Sequence, residues 1–428
     1  MEGLFAERLR RFPLWRPLTT RDFRLLFVGQ SVSLFGDQFY LVALPWLTLK
    51  LTGSGLALGT VLMVGGGTRA VFQLVGGALS DRFSQRTILL VSNLVRAVVT
   101  ALIAVTILLG VTRLWHLIVL SLVFGLVDAF FYPAFLAVIP RLVEKDQLTS
   151  GNALMRGTNR LMGMIGPAAA GLVIYGVNLT AAFALDTVTF LFAATTVWFI
   201  KERKLQASTE SESKNEARPA VVTGLLGSIK EGIKYTWHDP LLRTLLLFVT
   251  AVEFSFVGAS EVGLAVMAKN RFGGGEASSQ GAAAFAVMLS AFGAGALIGM
   301  IVAGSIEMPK RRGKLIIGLS FTLGLGLVML GLAKSVVTAS IVFGLIGLCG
   351  GMANIIILAW MQSRTEFSML GRVMALVMFT VSVVEPLSLA LAGLMADVNL
   401  TLMFAGAGGV MLVTSVLSLV SHTMRTSD

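Results

Sequence analysis

The chain has 428 residues, of which 55% are hydrophobic and only 13% are charged, and its mean hydropathy is +0.83. Soluble domains carry about 25% charged residues, so this composition excludes a soluble globular protein and indicates an integral membrane protein. The formal net charge of +11 comes largely from basic residues clustered between apolar runs. That clustering is typical of a cytoplasmic membrane face and not of a nucleic-acid-binding surface.

Apolar runs alternate with short polar segments after a basic first segment. Residues 1–24 interleave Phe5, Leu9 and Phe12 with arginines, so we expect an amphipathic segment on the cytoplasmic membrane surface. Each later run is about as long as the roughly 20 residues that a helix needs to cross a bilayer. The twelve runs cover 25–50, 55–79, 87–110, 114–139, 152–176, 180–200, 241–267, 280–305, 314–333, 336–361, 373–395 and 400–421.

The basic residues of the connecting segments are distributed unevenly. They concentrate at the N-terminus and after the even-numbered runs, and they are sparse after the odd-numbered runs. This positive-inside asymmetry predicts that both termini lie in the cytoplasm. We therefore expect a multi-pass protein of the plasma (inner) membrane.

One long connection, residues 201–240, divides the runs into two sets of six. In its second part Leu225, Ile229, Ile233 and Trp237 recur every four residues, which predicts a helix lying on the cytoplasmic surface. The expected organisation is an N-terminal bundle over 25–200, this linker, a C-terminal bundle over 241–421 and a cytoplasmic tail over 422–428. The predicted fold class is all-α integral membrane.

A charged turn between the second and third runs carries a recognisable motif. It reads Gly77-Ala78-Leu79-Ser80-Asp81-Arg82-Phe83-Ser84-Gln85-Arg86, followed by Leu89. The pattern resembles the loop between helices 2 and 3 of major facilitator superfamily transporters. The resemblance implies twelve transmembrane helices in two six-helix bundles, the major facilitator fold. It also implies a gating hinge that contains Gly77, Asp81, Arg82 and Arg86.

Other stretches carry the same resemblance. In the fifth run Gly166, Pro167 and Gly171 are similar to a motif associated with exporters of that superfamily. The start of the first run, with Asp37, resembles the branch that exports macrolides, other drugs and siderophores of the enterobactin type. So does the stretch 370–375 before the eleventh run.

Charged residues inside the apolar runs are the candidate site. An ionisable group in hydrocarbon costs about 3 kcal/mol or more, so it normally faces a cavity or a partner. Asp37 and Arg69 lie at equal depth in adjacent runs, and we expect them to form an ion pair. Arg96 and Asp128 form a second expected pair by the same count. Both pairs could equally serve only to stabilise the N-terminal bundle.

Glu253 and Glu385 also reach the middle of the membrane, in a half whose runs contain no Lys, Arg or His at that depth. We expect them to be unpaired and to couple protons or bind substrate. Asp37 is a third candidate, favoured by the resemblance. Asp186 and Glu261 are expected nearer the outer side, where Glu261 would reach outer water.

The sequence shows no metal-ligand cluster, nucleotide-binding loop or hydrolytic triad. We therefore expect a protein that is not an enzyme and uses neither cofactor nor metal, so that an ion gradient or the substrate itself supplies the energy.

The favoured hypothesis is a secondary active transporter that exports amphipathic or cationic drugs or metabolites by proton antiport and alternating access. Its partners would be a small-molecule substrate, protons and the lipid bilayer, with no nucleic acid, and it would act as a monomer. One alternative is a facilitator or importer of a lipid-like or siderophore-like metabolite. A channel or a non-transporting membrane scaffold remains a further alternative.

Overall fold

The computed structural model describes residues 13–80, 83–201, 221–275, 277–306 and 311–420, with only the backbone of 74–80, 221–226, 228, 229 and 420. Residues 1–12, the hinge residues Asp81 and Arg82, the first part of the linker and the tail 422–428 lie outside the described residues. Throughout the described ranges the regular structure is helical, which confirms the all-α prediction.

A 3₁₀ helix, Pro13–Thr19, precedes thirteen helices that we number in chain order. They are α1 (Arg21–Thr52), α2 (Gly55–Ser80), α3 (Gln85–Leu108), α4 (Leu114–Leu142), α5 (Leu148–Gly176), α6 (Leu179–Trp198), α7 (Val221–His238), α8 (Pro240–Phe272), α9 (Ser279–Ser305), α10 (Arg312–Leu332), α11 (Val336–Arg364), α12 (Phe367–Val398) and α13 (Leu400–Val420).

All of these helices except α7 are long enough to cross a membrane. Within the described residues, eleven of them are also apolar enough to be candidate spans by length and composition. The twelfth is α5, whose 29 residues include Asn152, Arg156, Asn159 and Arg160. It packs between α1 of the first bundle and α9 of the second, as a spanning helix does. The fold therefore has the twelve long helices expected from the sequence.

Several helices extend beyond the predicted apolar runs. Helix α1 begins at Arg21 and not at 25, and α12 begins at Phe367 and not at 373. Helix α8 contains a π-helical turn at Ala259–Gly263 and continues past 267 through a second one, Ala268–Phe272. Hydropathy marks only the apolar part of a helix, whereas the backbone hydrogen bonds continue to the polar residues at its ends.

The two bundles, α1–α6 and α8–α13, meet along two helix pairs, α2 with α12 and α5 with α9. Glycines allow close approach at both seams. A Cβ atom added at Gly59 of α2 would lie 2.6 Å from the carbonyl oxygen of Leu389 in α12. One added at Gly293 of α9 would lie 2.5 Å from the carbonyl oxygen of Gly163 in α5. Small residues at helix crossings let the backbones pack directly, as is usual in membranes.

Helix α7 packs against one end of the bundles, which we call the proximal end. The Arg372 guanidinium of α12 lies 2.8 Å from the Glu231 carboxylate of α7. Beside it, the Glu366 backbone amide donates to the Tyr235 hydroxyl at 3.3 Å. These contacts fix α7 to the start of α12.

The opposite, distal end holds a direct connection between the bundles. Asp397, at the end of α12, accepts hydrogen bonds from the Ser54 hydroxyl at 2.6 Å and from the backbone amides of Gly55 and Leu56 at 2.5 and 3.0 Å. These two amides belong to the first turn of α2 and have no acceptor within their own helix. Lys269 of α8 reaches the carbonyl oxygen of Gly53 alongside. Asp397 of the second bundle therefore caps a helix of the first, and we call this contact the distal latch.

Candidate functional site

Six carboxylates, together with Arg69 and Arg96, are the interacting charged groups near the middle of the described long helices. They fall into two groups, each with one arginine and three carboxylates. The inter-bundle cluster contains Arg69, Glu253, Glu261 and Glu385. The first-bundle cluster contains Asp37, Arg96, Asp128 and Asp186.

Arg69 of α2 pairs with Glu385 of α12, across the interface between the bundles. Its Nη2 donates to both oxygens of the Glu385 carboxylate, each at 2.6 Å. The expected partner of Arg69 was Asp37, and that expectation is wrong. Counting residues gives the depth of a side chain along a helix but not the face from which it projects. The face of α2 that bears Arg69 points towards the second bundle.

Small residues make room for this pair. A Cβ atom added at Gly66 would lie 3.1 Å from Oε1 of Glu385. Any side chain there would therefore have to displace the carboxylate slightly. One added at Gly67 would contact the ring of Pro386, the residue after Glu385. The run of glycines before Arg69 is therefore packed against α12 at the height of the ion pair.

Glu385 does have a basic partner, contrary to the expectation from the second half of the chain alone. That expectation considered only basic residues of the same half, and the partner comes from the other bundle. Glu253 and Glu261 of α8 both interact electrostatically with Glu385, and Glu261 also interacts with Arg69. Arg69 therefore interacts with Glu385 and Glu261, whereas Glu253 interacts with the Glu385 carboxylate.

Glu261 lies in the first π-helical turn of α8 and lines a small cavity of about 50 Å³. Its neighbours there include Tyr40 of α1, Leu62 of α2 and Phe285 of α9. Glu261 therefore faces a cavity between the two bundles, and its access to outer water stays a prediction. The π-helical turn changes the direction in which the following side chains of α8 project. A count of residues from the end of the run assumes a regular α-helix and misses this change.

In the first-bundle cluster, Arg96 of α3 donates from Nη2 to Oδ1 of Asp128 in α4, so the structure brings this expected pair together. The arginine is 4% exposed. Its guanidinium carbon lies 4.3 Å from the centre of the Phe131 ring and 5.6 Å from that of Phe190. Aromatic faces stabilise a desolvated guanidinium through their quadrupoles.

Asp37 of α1 lies close to this pair and interacts electrostatically with both Arg96 and Asp128. Asp186 of α6 is fully buried and interacts with Asp37 and Arg96. Asp186 was expected nearer the outer side because it follows the start of its run by few residues. Helix α6 packs along α1 and α3, so this position is enclosed by protein at the depth of Asp37.

The exporter-motif residues lie at helix contacts of α5. Gly166 packs against the side chain of Gln38 in α1, and a Cβ atom there would overlap it. Gly171 faces Ala286 of α9 in the second bundle, again with no room for a Cβ atom. Pro167 is buried between them. The motif therefore lies where α5 contacts both bundles.

Of the hinge residues, Arg86 has a described side chain. Its Nη2 donates to the carbonyl oxygen of Trp198 at 2.5 Å and its Nε to that of Val197 at 3.2 Å. These are carbonyls at the end of α6, which an arginine commonly satisfies. Arg86 thus ties the start of α3 to the end of α6 within the first bundle. Gly77 belongs to the part of α2 described by its backbone alone.

An apolar cavity of about 290 Å³ opens beside α12 in the proximal half. Ile233 and Trp237 of α7 form one wall, and Phe379, Thr380 and Val383 of α12 form another. Its wall on α12 ends at Val384, next to Glu385. The cavity therefore connects the surface helix with the helix that carries the inter-bundle carboxylate.

Comparison with known proteins gives matches over most of the chain. Residues 26–388 match the family model of the Major Facilitator Superfamily. The chain is 24% identical over 379 residues to Macrolide efflux protein A of Streptococcus pyogenes, covering 88% of this chain and 89% of that protein. It is 24% identical over 371 residues to Multidrug efflux pump Tap of Mycolicibacterium fortuitum, covering 85% and 86%.

A third relative, Enterobactin exporter EntS of Shigella boydii, is 24% identical over 353 residues, covering 82% of this chain and 79% of that protein. Among solved structures, a POT family transporter in complex with thioalcohol conjugated peptide has a TM-score of 0.71. Its sequence identity is 13%, and the match covers 95% of this chain and 97% of that one. This last similarity concerns the fold alone.

Proposed function

Since the chain belongs to the Major Facilitator Superfamily and is thus a multi-pass membrane transporter, we propose that it exports amphipathic or cationic compounds in exchange for protons. The Arg69–Glu385 ion pair, with two further carboxylates around it, is the observation that supports this most. It joins the two bundles in the middle of the membrane. Alternating access requires the bundles to rock about a site at that depth.

The excess of carboxylates provides the coupling. An unpaired carboxylate in hydrocarbon is costly, so Glu253, Glu261 and Glu385 together require more positive charge than Arg69 supplies. A proton or a cationic substrate can supply it, and the two compete. Protonation of Glu385 also weakens its bond to Arg69, which frees the bundles to move.

The names of the relatives support the outward direction and the substrate class. One is named for macrolide efflux, one for multidrug efflux and one for enterobactin export. The apolar cavity beside α7 suits an amphipathic compound that approaches Glu385 from the proximal half. We assign the proximal end to the cytoplasm because of the positive-inside asymmetry, which also puts both termini there.

We assign the remaining motif residues to the movement itself. Gly77, Asp81 and Arg82 would open and close the proximal end, with Arg86 holding α3 to α6. Gly166, Pro167 and Gly171 would let α5 slide against α1 and α9 during the export cycle. Asp37 would take part in proton coupling through the first-bundle cluster.

Reconstituted protein in proteoliposomes tests the proposal. An imposed pH gradient should drive uphill movement of ethidium, an amphipathic cation, and of erythromycin, a macrolide. Glu385→Gln should abolish uphill movement while leaving downhill exchange, and Glu253→Gln should have the same effect more weakly. Glu366→Gln, on the exposed proximal surface, is the matched control and should transport normally. A wild-type flux that does not depend on the pH gradient would overturn proton coupling and favour a facilitator.

A further inference from the structure

Asp186 is the buried charged group that the proposed cycle leaves unused. Its side chain is fully buried, and its Oδ2 has no hydrogen-bond partner among the described residues. Its Oδ1 lies 3.5 Å from the Thr189 hydroxyl, which is itself committed to the Asp186 carbonyl oxygen at 2.7 Å. A buried carboxylate with an unsatisfied oxygen is unstable unless it binds a proton or a cation.

The carboxyl group lies directly on α1. A Cβ atom added at Gly36 would come within 2.8 Å of Oδ1 of Asp186, so the absence of a side chain at Gly36 makes room for this oxygen. The next residue, Asp37, interacts electrostatically with Asp186. Two carboxyl groups from different helices therefore share one enclosed space.

The charged and titratable groups around Asp186 come from three helices. Helix α1 contributes Asp37 and Tyr40, and α3 contributes Arg96. Helix α4 contributes Asp128, which interacts with Asp37 and with Tyr40. In the described part of α5, no charged side chain interacts with Asp186.

Arg96 does not neutralise all three carboxyl groups of this cluster. Its Nη2 is bound to Asp128, and Phe131 and Phe190 lie against its guanidinium. One positive charge therefore faces three carboxyl groups. Like-charged carboxyl groups that share an enclosed site do not both ionise, because mutual repulsion adds to the loss of solvation.

We propose that Asp186 and Asp37 share one bound proton and form a second proton-binding site in the first bundle. This deepens the proposed function and rests on it for its role in transport. Oδ2 of Asp186, which has no hydrogen-bond partner among the described residues, would hold this proton, and repulsion by Asp37 favours its binding. Asp128 would link this site to the inter-bundle cluster, since it interacts with both Arg96 and Arg69.

Infrared spectroscopy of the purified protein tests for the shared proton. At neutral pH the difference spectrum of the wild type minus Asp186→Asn should contain the C=O stretching band of a protonated carboxyl group, separate from any band of the inter-bundle carboxyl groups. This band should also be lost or shifted in Asp37→Asn. This second variant keeps the buried Asp186 side chain, so it provides the test if Asp186→Asn folds poorly. Glu366→Gln, an exposed carboxyl group outside both clusters, is the matched control and should keep the band. A band that persists unchanged in both Asp186→Asn and Asp37→Asn would overturn the proposal.

A transport measurement separates this site from the inter-bundle cluster. The number of protons exchanged per ethidium should fall by one in Asp186→Asn, whereas Glu385→Gln should keep the infrared band and lose uphill transport. If the wild type shows the infrared band but no pH-driven transport, the proposed function is refuted, whereas the shared proton is still supported. An unchanged proton count in Asp186→Asn would refute a coupling role for this site.

Discussion

The Arg69–Glu385 salt bridge can be tested by removing one charge and then both. Arg69→Gln leaves Glu385 without its two hydrogen bonds, which we expect to cost about 1.5–3 kcal/mol, the range for hydrogen bonds to charged groups. Arg69 is 39% exposed, so the lower end of this range is appropriate. The double variant Arg69→Gln, Glu385→Gln should recover most of the loss. Thermal unfolding in detergent measures both.

The same measurement distinguishes the two possible partners of Arg69. Adding Asp37→Asn to Arg69→Gln should give no recovery, because Asp37 belongs to the other cluster. Two results together would instead support the Asp37–Arg69 pair expected from the sequence. Stability would recover when Asp37→Asn is added to Arg69→Gln, and the losses from Arg69→Gln and Glu385→Gln would be additive.

A second test concerns Gly66. Gly66→Ala places a methyl group 3.1 Å from the Glu385 carboxylate, so either α12 or the carboxylate must shift slightly. We expect pH-driven ethidium transport to fall several-fold with a small change in unfolding temperature. Gly157→Ala, whose added methyl group would meet open space, is the control. Equal transport by the two variants would contradict the close packing.

The candidate residues could be predicted from the sequence, but their partners could not. Asp37, Arg69, Glu253 and Glu385 stand out because charges are rare in apolar runs. Their depth follows from the helical rise. The pairing of Arg69 depends on which helices meet between the bundles, and no motif states that. The enclosed position of Asp186 beside Asp37 depends on how α6 packs along α1 and α3, which the sequence does not state.

The distal latch makes α2 depend on α12 for its N-cap. Asp397→Ala should destabilise this contact by about 0.5–2 kcal/mol, the usual effect of losing an N-cap. The bundles should then separate more often at the distal end. A cysteine replacing Leu62, in a Cys349→Ala background, should react several-fold faster with a membrane-impermeant thiol reagent added from outside.

Glu231→Ala is the matched control for the latch, because it breaks an ion pair at the proximal end. It should leave the labelling of the cysteine at position 62 unchanged. If Asp397→Ala leaves that labelling rate unchanged as well, the latch does not hold the distal end closed.

The orientation of the protein in the membrane is the first property to measure. Ser84 caps α3 and Asn178 caps α6, so the neighbouring exposed residues Phe83 and Val177 are better reporter positions. In the Cys349→Ala background, a cysteine at Val177 should react with an impermeant reagent in intact cells. One at Phe83 should react only in inverted vesicles. The reverse pattern would overturn the assignment of the proximal end to the cytoplasm.

The number and class of the helices could be predicted because bilayer thickness fixes the length of an apolar run. The packing of α5 between α1 and α9 could not, since its polar residues lower its hydropathy and its glycines contact other helices. Glycines such as Gly59 and Gly293 can be recognised as sites of close helix–helix contact only when the opposite helix is known. Helix contacts in membranes depend on shape more than on hydrophobicity.

The surplus of carboxyl groups in both clusters also determines how the transporter would respond to membrane voltage. If each cluster carries a proton inward while one monovalent cation leaves, one net positive charge enters the cell per cycle. A charge that crosses the full membrane potential gains about 2.3 kcal/mol per 100 mV. An inside-negative potassium diffusion potential should therefore accelerate export even without a pH gradient, and Asp186→Asn should remove that acceleration by making the exchange electroneutral.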